Sequence, residues 1–354
     1  MTATHFLTDT TVALARTDRA AYENVEHLAR CLRSLAERTG WGDPGESAFS
    51  KLVPTGAKIL VKPNLVLHQN NGPWSFDPVI THPTVIKGVV SELLRTNLGS
   101  VSVGDAPIQS CDFDHLLRRT ELDDWAARLR RDDSRFVGID DFRRTTCYIK
   151  DGVRIAQENL VDESQYVLFD LGTESLLEPV TGPEPRFRIT SYDPKFLQDK
   201  HRQGRHQYLI TRNVLEADIV VNLPKLKMHC KAGITNALKN LVGINGNKEY
   251  LPHHRIGGSH DAGDCYPGKS RLKQAVEHLL DLQNSSSSQT QARLIHQTLR
   301  PLTKFMTISG DETGVEGAWS GNDTVWRMTL DLNRILLYGR VDGTMSEVGL
   351  APRR

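Results

Sequence analysis

Residues 217–246, ADIVVNLPKLKMHCKAGITNALKNLVGING, hold a short apolar run, a break at Asn222 and Pro224, and the side chains of Lys225, Lys227, His229 and Lys231 ahead of a small-residue turn at Ala232 and Gly233. The apolar run reads as a buried strand, and the segment carrying Lys239 and Asn240 as a helix. Cations gathered between a strand end and a helix start lie beside the free N–H groups of that helix, which attract negative charge. The stretch therefore predicts a site for an anion.

Working outward, the same grammar recurs. Ile59, Leu60 and Val61 form a brief apolar run that stops at Lys62, Pro63 and Asn64, and SVSVGDAP at 100–107 ends a second run at Gly104 and Asp105. Between them, Thr81-His82-Pro83 opens a helix with a wide apolar face, because proline suits the first helical turn. A strand, helix, strand unit of this kind is parallel by default. Further helices are expected over 22–37, over 112–129, over 270–283, from residue 292 and over 324–339 after a cap at 321–323. A strand is expected at KFMTIS, 304–309, ending in Gly310, Asp311 and Glu312. The fold class is α/β: a mostly parallel sheet with flanking helices, two lobes with the site between them, and a β-rich insertion. The segments are 1–135, an N-terminal α/β lobe; 136–205, an irregular β-rich insertion or lid with a turn at Asp151-Gly152; and 206–354, a C-terminal α/β lobe carrying the lysine-histidine block. The charges at Arg186, Arg188, Lys195, Lys200, His201 and Arg202 read as a solvated surface.

Composition limits the function classes. The chain has 354 residues, 38% hydrophobic and 25% charged, with a formal net charge of +1. A near-neutral chain lacks the basic excess of a nucleic-acid binder. No leader pattern and no apolar run long enough to span a bilayer is seen, so the expectation is a cytoplasmic protein with no membrane partner. Five scattered cysteines without a Cys-x-x-Cys pair predict buried thiols, Cys230 among them, and no iron–sulfur cluster.

In open α/β sheets ligands bind beyond the carboxyl ends of the strands, so the polar residues after each run should converge. Lys62, Lys227, His229 and His254 are the candidate catalytic groups. Asn64, Asp105, Asn222, Lys225, Lys239 and Asn240 are candidates for holding the anion. The loop 245–268 is dense in glycine and histidine, and His253, His254, His260 and Asp264, with Asp311, have the chemistry of divalent-metal ligands. Neither a P-loop nor a dinucleotide fingerprint is present, so no nicotinamide is expected.

The runs VKPNLV (61–66), THPTVIKGVV (81–90), VSVGDAP (101–107), NLPKLKMHCKAGITNALKNLVGI (222–244) and GNDTVWRMTLDLNRILLYG (321–339) resemble the domain-of-unknown-function family 362. The loop YLPHHRIGGSHDAGDCYP is similar to a version in bacterial members that accompany carbohydrate or secondary metabolism. Some relatives carry a ferredoxin-like module, which this chain lacks. In style the motifs are also similar to lactate racemases that use a nickel-pincer cofactor, where histidines and a lysine manage proton or hydride transfer. These readings lead to an enzyme acting on an anionic small molecule by acid–base chemistry, as a lyase, isomerase or group transferase, with a divalent metal as an optional aid. A non-catalytic binder of an anionic metabolite or metal is the alternative, a redox protein the second, and a homodimer is compatible with each.

Overall fold

The computed structural model describes residues 11–308 and 313–346, apart from 71, 151–152, 159–160, 185 and 191. Asp311 and the Asp151-Gly152 turn lie outside the described residues.

The first helix, α1 (Val25–Thr39), is capped by the Asn24 side chain and closed by Gly40 in the left-handed conformation, where a residue without Cβ is at ease. Strand β1 (Lys58–Pro63) follows, then α2 (Pro83–Leu94), whose first residue is the expected proline. Strand β2 (Ser100–Asp105) lies parallel to β1, with Lys58 opposite Ser100. The helix expected over 112–129 is two helices, α3 (Phe113–Arg119) and α4 (Leu122–Asp132), divided at Glu121, whose φ is 54°. A non-glycine residue in that region cannot continue a helix.

Strand β3 (Phe136–Asp141) pairs parallel with β2, and β10 (Ile219–Leu223) pairs parallel with the other side of β1. The main sheet is thus four parallel strands in the order β10-β1-β2-β3. It is an α/β sheet flanked by helices. Its inner strand β1 is buried at five successive positions, as a strand covered on both faces requires. One core packs α2, α3 and α4 against it through Ile86, Val90, Leu116 and Leu122.

The antiparallel elements complete the molecule. Strands β4 (Thr145–Lys150) and β5 (Val153–Glu158) form a hairpin, and β6 (Tyr166–Asp170) pairs with β9 (Arg205–Thr211), which also pairs with β8 (His201–Arg202). The two-residue strand β7 (Phe187–Arg188) pairs with β13 (His254–Arg255). Strands β11 (Lys227–His229) and β12 (Gly233–Thr235) make a second hairpin just after β10. Sheets therefore cross the boundaries drawn at residues 135 and 205: β3 and β10 join the sheet of the first segment, and β6 pairs with β9.

Three expectations are corrected. Residues 304–308 are not a strand but the end of the helix Gln289–Ile308, which runs through Pro301 and packs Leu299 and Met306 inward. Arg188 and His201 are not surface charges. Arg188 makes an ion pair with Asp281, 3.0 Å, and His201 is fully buried with Nε2 2.9 Å from the Tyr250 carbonyl. Cys230 is exposed, because it sits in the tight turn of the β11–β12 hairpin; Cys31 and Cys147 are half-buried.

Candidate functional site

At the carboxyl ends of β1, β2 and β10 the polar residues do converge. Lys62 has no solvent exposure, and its Nζ lies 2.7 Å from Asp105 Oδ1 and donates to the Pro63 carbonyl at 2.8 Å. Burial pushes the Lys62 ammonium below its ordinary range, and the Asp105 carboxylate opposes that push. Asp105 is further fixed by the Leu65 N–H, which donates to Oδ2 at 2.6 Å. Asn240 Nδ2 donates to Asn222 Oδ1 at 2.7 Å and to the Lys62 carbonyl at 3.2 Å, while Asn222 Nδ2 donates to the Ala237 carbonyl. Lys62 and Asn222 occupy the same register position on neighbouring strands, so the pairing of β1 with β10 places them side by side. A Cβ on Gly243 would fall 1.8 Å from Asp105 Oδ1, so only glycine lets this segment close over the ion pair.

Above this platform opens a cavity of about 470 Å³, within the range of small-molecule sites. Five lysines line it, Lys225, Lys227, Lys231, Lys239 and Lys248, with Asp105 the one carboxylate in its wall among the described residues. Lys227 and Lys231 are tied to the Pro78 carbonyl and to Thr190 Oγ1, at 3.1 and 3.0 Å. Lys248 donates to the Ala106 carbonyl at 2.8 Å, and burial lowers its ammonium to about 7. The Lys239 ammonium makes no hydrogen bond or ion pair with any described residue. Burial first, and then the nearby charges of Lys231 and Lys227, bring it down to about 8. A half-buried ammonium with no counter-ion and with other cations near it disfavours its charged form.

Two imidazoles complete the wall, and the main chain assigns their tautomers. The N–H groups of Lys231 and Ala232 donate to His229 Nδ1 at 3.1 and 3.2 Å, so the neutral ring carries its proton on Nε2. His253 does the reverse. Its Nδ1 lies 2.7 Å from the Leu251 carbonyl and must donate to it, leaving Nε2 with a lone pair. Burial, and next the charge of Lys239, lower His229 to about 4 and lower His253 well below the usual imidazole value. At neutral pH one ring presents a donor to the cavity and the other an acceptor.

The short helix after the hairpin is Ala237–Asn240, four residues, followed by a 3-10 turn, so the sequence-based helix shrinks to one turn. Its role is to aim Lys239 and Asn240. The hairpin works by alternation: Lys227 and His229 line the cavity, while Met228 between them is 93% exposed.

The described members of the expected metal set, His253, His254, His260 and Asp264, do not come together as ligands. Among the described residues no three histidine, cysteine or carboxylate groups come together as ligands. Asp264 is buried and occupied, accepting from the Asp323 N–H at 2.9 Å and from Thr324 Oγ1 at 2.6 Å, with the Arg255 N–H as a further donor. His260 is exposed on its loop, and His254 points away from the large cavity, lining a small neighbouring one with Arg188 and Asp281. This also removes His254 from the catalytic candidates, since it opens β13 facing the small cavity while His253, the residue just before the strand, lines the large one. Of the other expected groups, Asn64, Asp105, Lys225, Lys227, His229, Lys239 and Asn240 line the cavity; Lys62 and Asn222 support it from beneath. Sequence reasoning missed Lys248, Gln109, Thr190 and Tyr192, which come from turns and irregular chain without a periodic signal.

The fold and the site define a mixed α/β protein with a lysine-rich cavity at the ends of a parallel sheet. The chain belongs to the family described as a domain of unknown function (DUF362), matched over residues 59–167 and 190–337. No curated protein matches it. A crystal structure of a protein from Thermotoga maritima, from the Northeast Structural Genomics Consortium, is similar at 13% identity with a TM-score of 0.31, covering 82% of this chain and 49% of that one. The chain spans about half the length of that protein. Among the described residues, no helix is long and apolar enough to cross a membrane.

Proposed function

We propose that this protein is an enzyme that binds an anionic small molecule and moves protons on it, as a lyase, isomerase or group transferase of bacterial carbohydrate or secondary metabolism. The observation that carries the reading is the pairing of five lysines with two neutral imidazoles of opposite tautomer in one cavity. Lysines that find no carboxylate there leave a positive potential for the ligand to satisfy. His229 offers a proton from Nε2 to an oxygen of the bound anion, and His253 offers a lone pair to accept one. Such paired groups supply general acid–base catalysis of about 10²–10⁴-fold. No step is routed through a metal, because the described donors do not form a ligand set.

The test is incubation of the protein with a bacterial metabolite extract, followed by mass spectrometry of the anions consumed. The native protein should deplete one anion, and His229→Ala should slow that depletion by about a hundredfold or more with an unchanged melting temperature. Equal depletion by the variant removes His229 from the mechanism. Retention of an anion without conversion, seen as a shifted melting temperature, supports a binding protein instead.

A further inference from the structure

The ammonium groups of Lys225 and Lys239 make no hydrogen bond or ion pair with any described residue. Lys227, Lys231 and Lys248 each donate from the ammonium to a carbonyl or hydroxyl, with further N–H groups left for a ligand. Lys225 lines the cavity from the chain leaving β10. Lys239 projects from the single helical turn Ala237–Asn240, and its charge is the largest electrostatic influence on both His229 and His253. An amine therefore lines the same cavity as a proton donor and a proton acceptor, with further cations around it. Desolvation and neighbouring positive charge are the two means by which an enzyme converts a lysine into a nucleophile.

We propose that Lys239 forms an imine with the carbonyl carbon of an oxo-carboxylate, whose carboxylate is held by Lys227 and Lys231. The inference rests on the anion-binding, acid–base reading above and names its substrate class. His253 Nε2 first takes a proton from the Lys239 ammonium. The free amine attacks the carbonyl carbon, forming the N–C bond and breaking the C=O π bond, while His229 Nε2–H donates a hydrogen bond to the oxygen. A proton from nitrogen and the one parked on His253 pass to that oxygen, the C–O bond breaks and water leaves. Of the ammonium's three protons, one stays on the protonated imine and two depart in water, so no oxidant, reductant or co-reactant is needed.

The experiment is reductive trapping of the full chain with cyanoborohydride in the presence of pyruvate, glyoxylate or 2-oxoglutarate, read by intact mass and peptide mapping. One adduct should form per chain, on Lys239, at about ten times the rate of any surface lysine. Its rate should rise with pH through a midpoint near about 8. Lys239→Arg keeps the charge and should abolish the adduct, with circular dichroism reporting that the chain remains folded; Lys239→Met serves the same purpose should the arginine not fit. The proposal is overturned by labelling spread over surface lysines, by labelling unchanged in both variants, or by none with all three acids. In that last case, a melting temperature still raised by the acids means Lys239 only holds the anion, and the reading of an anion-binding enzyme survives. No rise with any of them removes carboxylates of this kind from that reading as well.

Discussion

Lys239 imposes a pH dependence on folding. Its ammonium titrates near about 8 in the folded chain, below the ordinary lysine value of 10.5. Between those values the unfolded chain keeps a proton that the folded one has released, so stability climbs as pH rises through the window, and below it the penalty is present in full. Replacing the amine should remove that penalty, on the order of 2 kcal/mol at pH 7. The expected result is that Lys239→Met melts higher than the native protein at pH 7 and that the gap closes towards pH 10.5, measured by thermal unfolding across the series. A variant that melts lower at every pH would mean that the side chain's packing outweighs its charge. The sequence made Lys62, Lys225, Lys227 and Lys239 legible because each follows or flanks an apolar run whose end is a known place for ligands. It could not separate His253 from His254. That choice depends on which neighbour of a two-residue strand faces inward and on a bond from Nδ1 to the Leu251 carbonyl.

Among the elements, the helix Val325–Tyr338 shows what became of a proposed metal ligand. Asn322 Oδ1 accepts from the N–H groups of Thr324 and Val325, and Asp264 accepts from Asp323 N–H and Thr324 Oγ1. Asp264 thus binds the start of this helix to the histidine-rich loop, where Arg255 Nε lies 3.6 Å from it. Removing the carboxylate leaves several buried donors unsatisfied, each costing about 1–3 kcal/mol. Asp264→Ala should therefore lower the melting temperature strongly in the presence and in the absence of a chelator. Loss of stability only when metal is present would restore the ligand role. A carboxylate in a glycine loop looks alike in sequence whether it meets a cation or a row of main-chain N–H groups. The strand expected at 304–309 failed for a comparable reason: a short apolar run does not reveal its period, and only its continuity with the preceding helix decides.

For the whole molecule, the parallel sheet is assembled from distant parts of the chain. β1 and β2 come from the first segment, β3 from the start of the second and β10 from the third. A fragment of residues 1–135 retains the two inner strands without either outer neighbour, leaving both edges unpaired and the apolar positions Val220 and Phe136 absent from its core. Such a fragment should show no cooperative thermal transition by circular dichroism; a sharp transition would make it an autonomous lobe. The strand, helix, strand unit was readable because its periodicities are long and local. The joining of β3 and β10 to it was not, since the pairing of strands about 35 and 160 residues apart leaves no trace in local pattern.

The register that sets Lys62 beside Asn222 also determines where the gene tolerates changes in length. Deleting one codon within β1 would turn Lys62 to the opposite face of the sheet and leave Asp105 without its cation, because side chains alternate along a strand. One codon more or fewer in the serine run at 285–288, between two helices that meet through their apolar sides, would reach the cavity only through Gln283 and Asn284 in its lining. Insertions and deletions should therefore collect in such surface connections and be purged from the strand ends, so the map of tolerated gaps outlines the site.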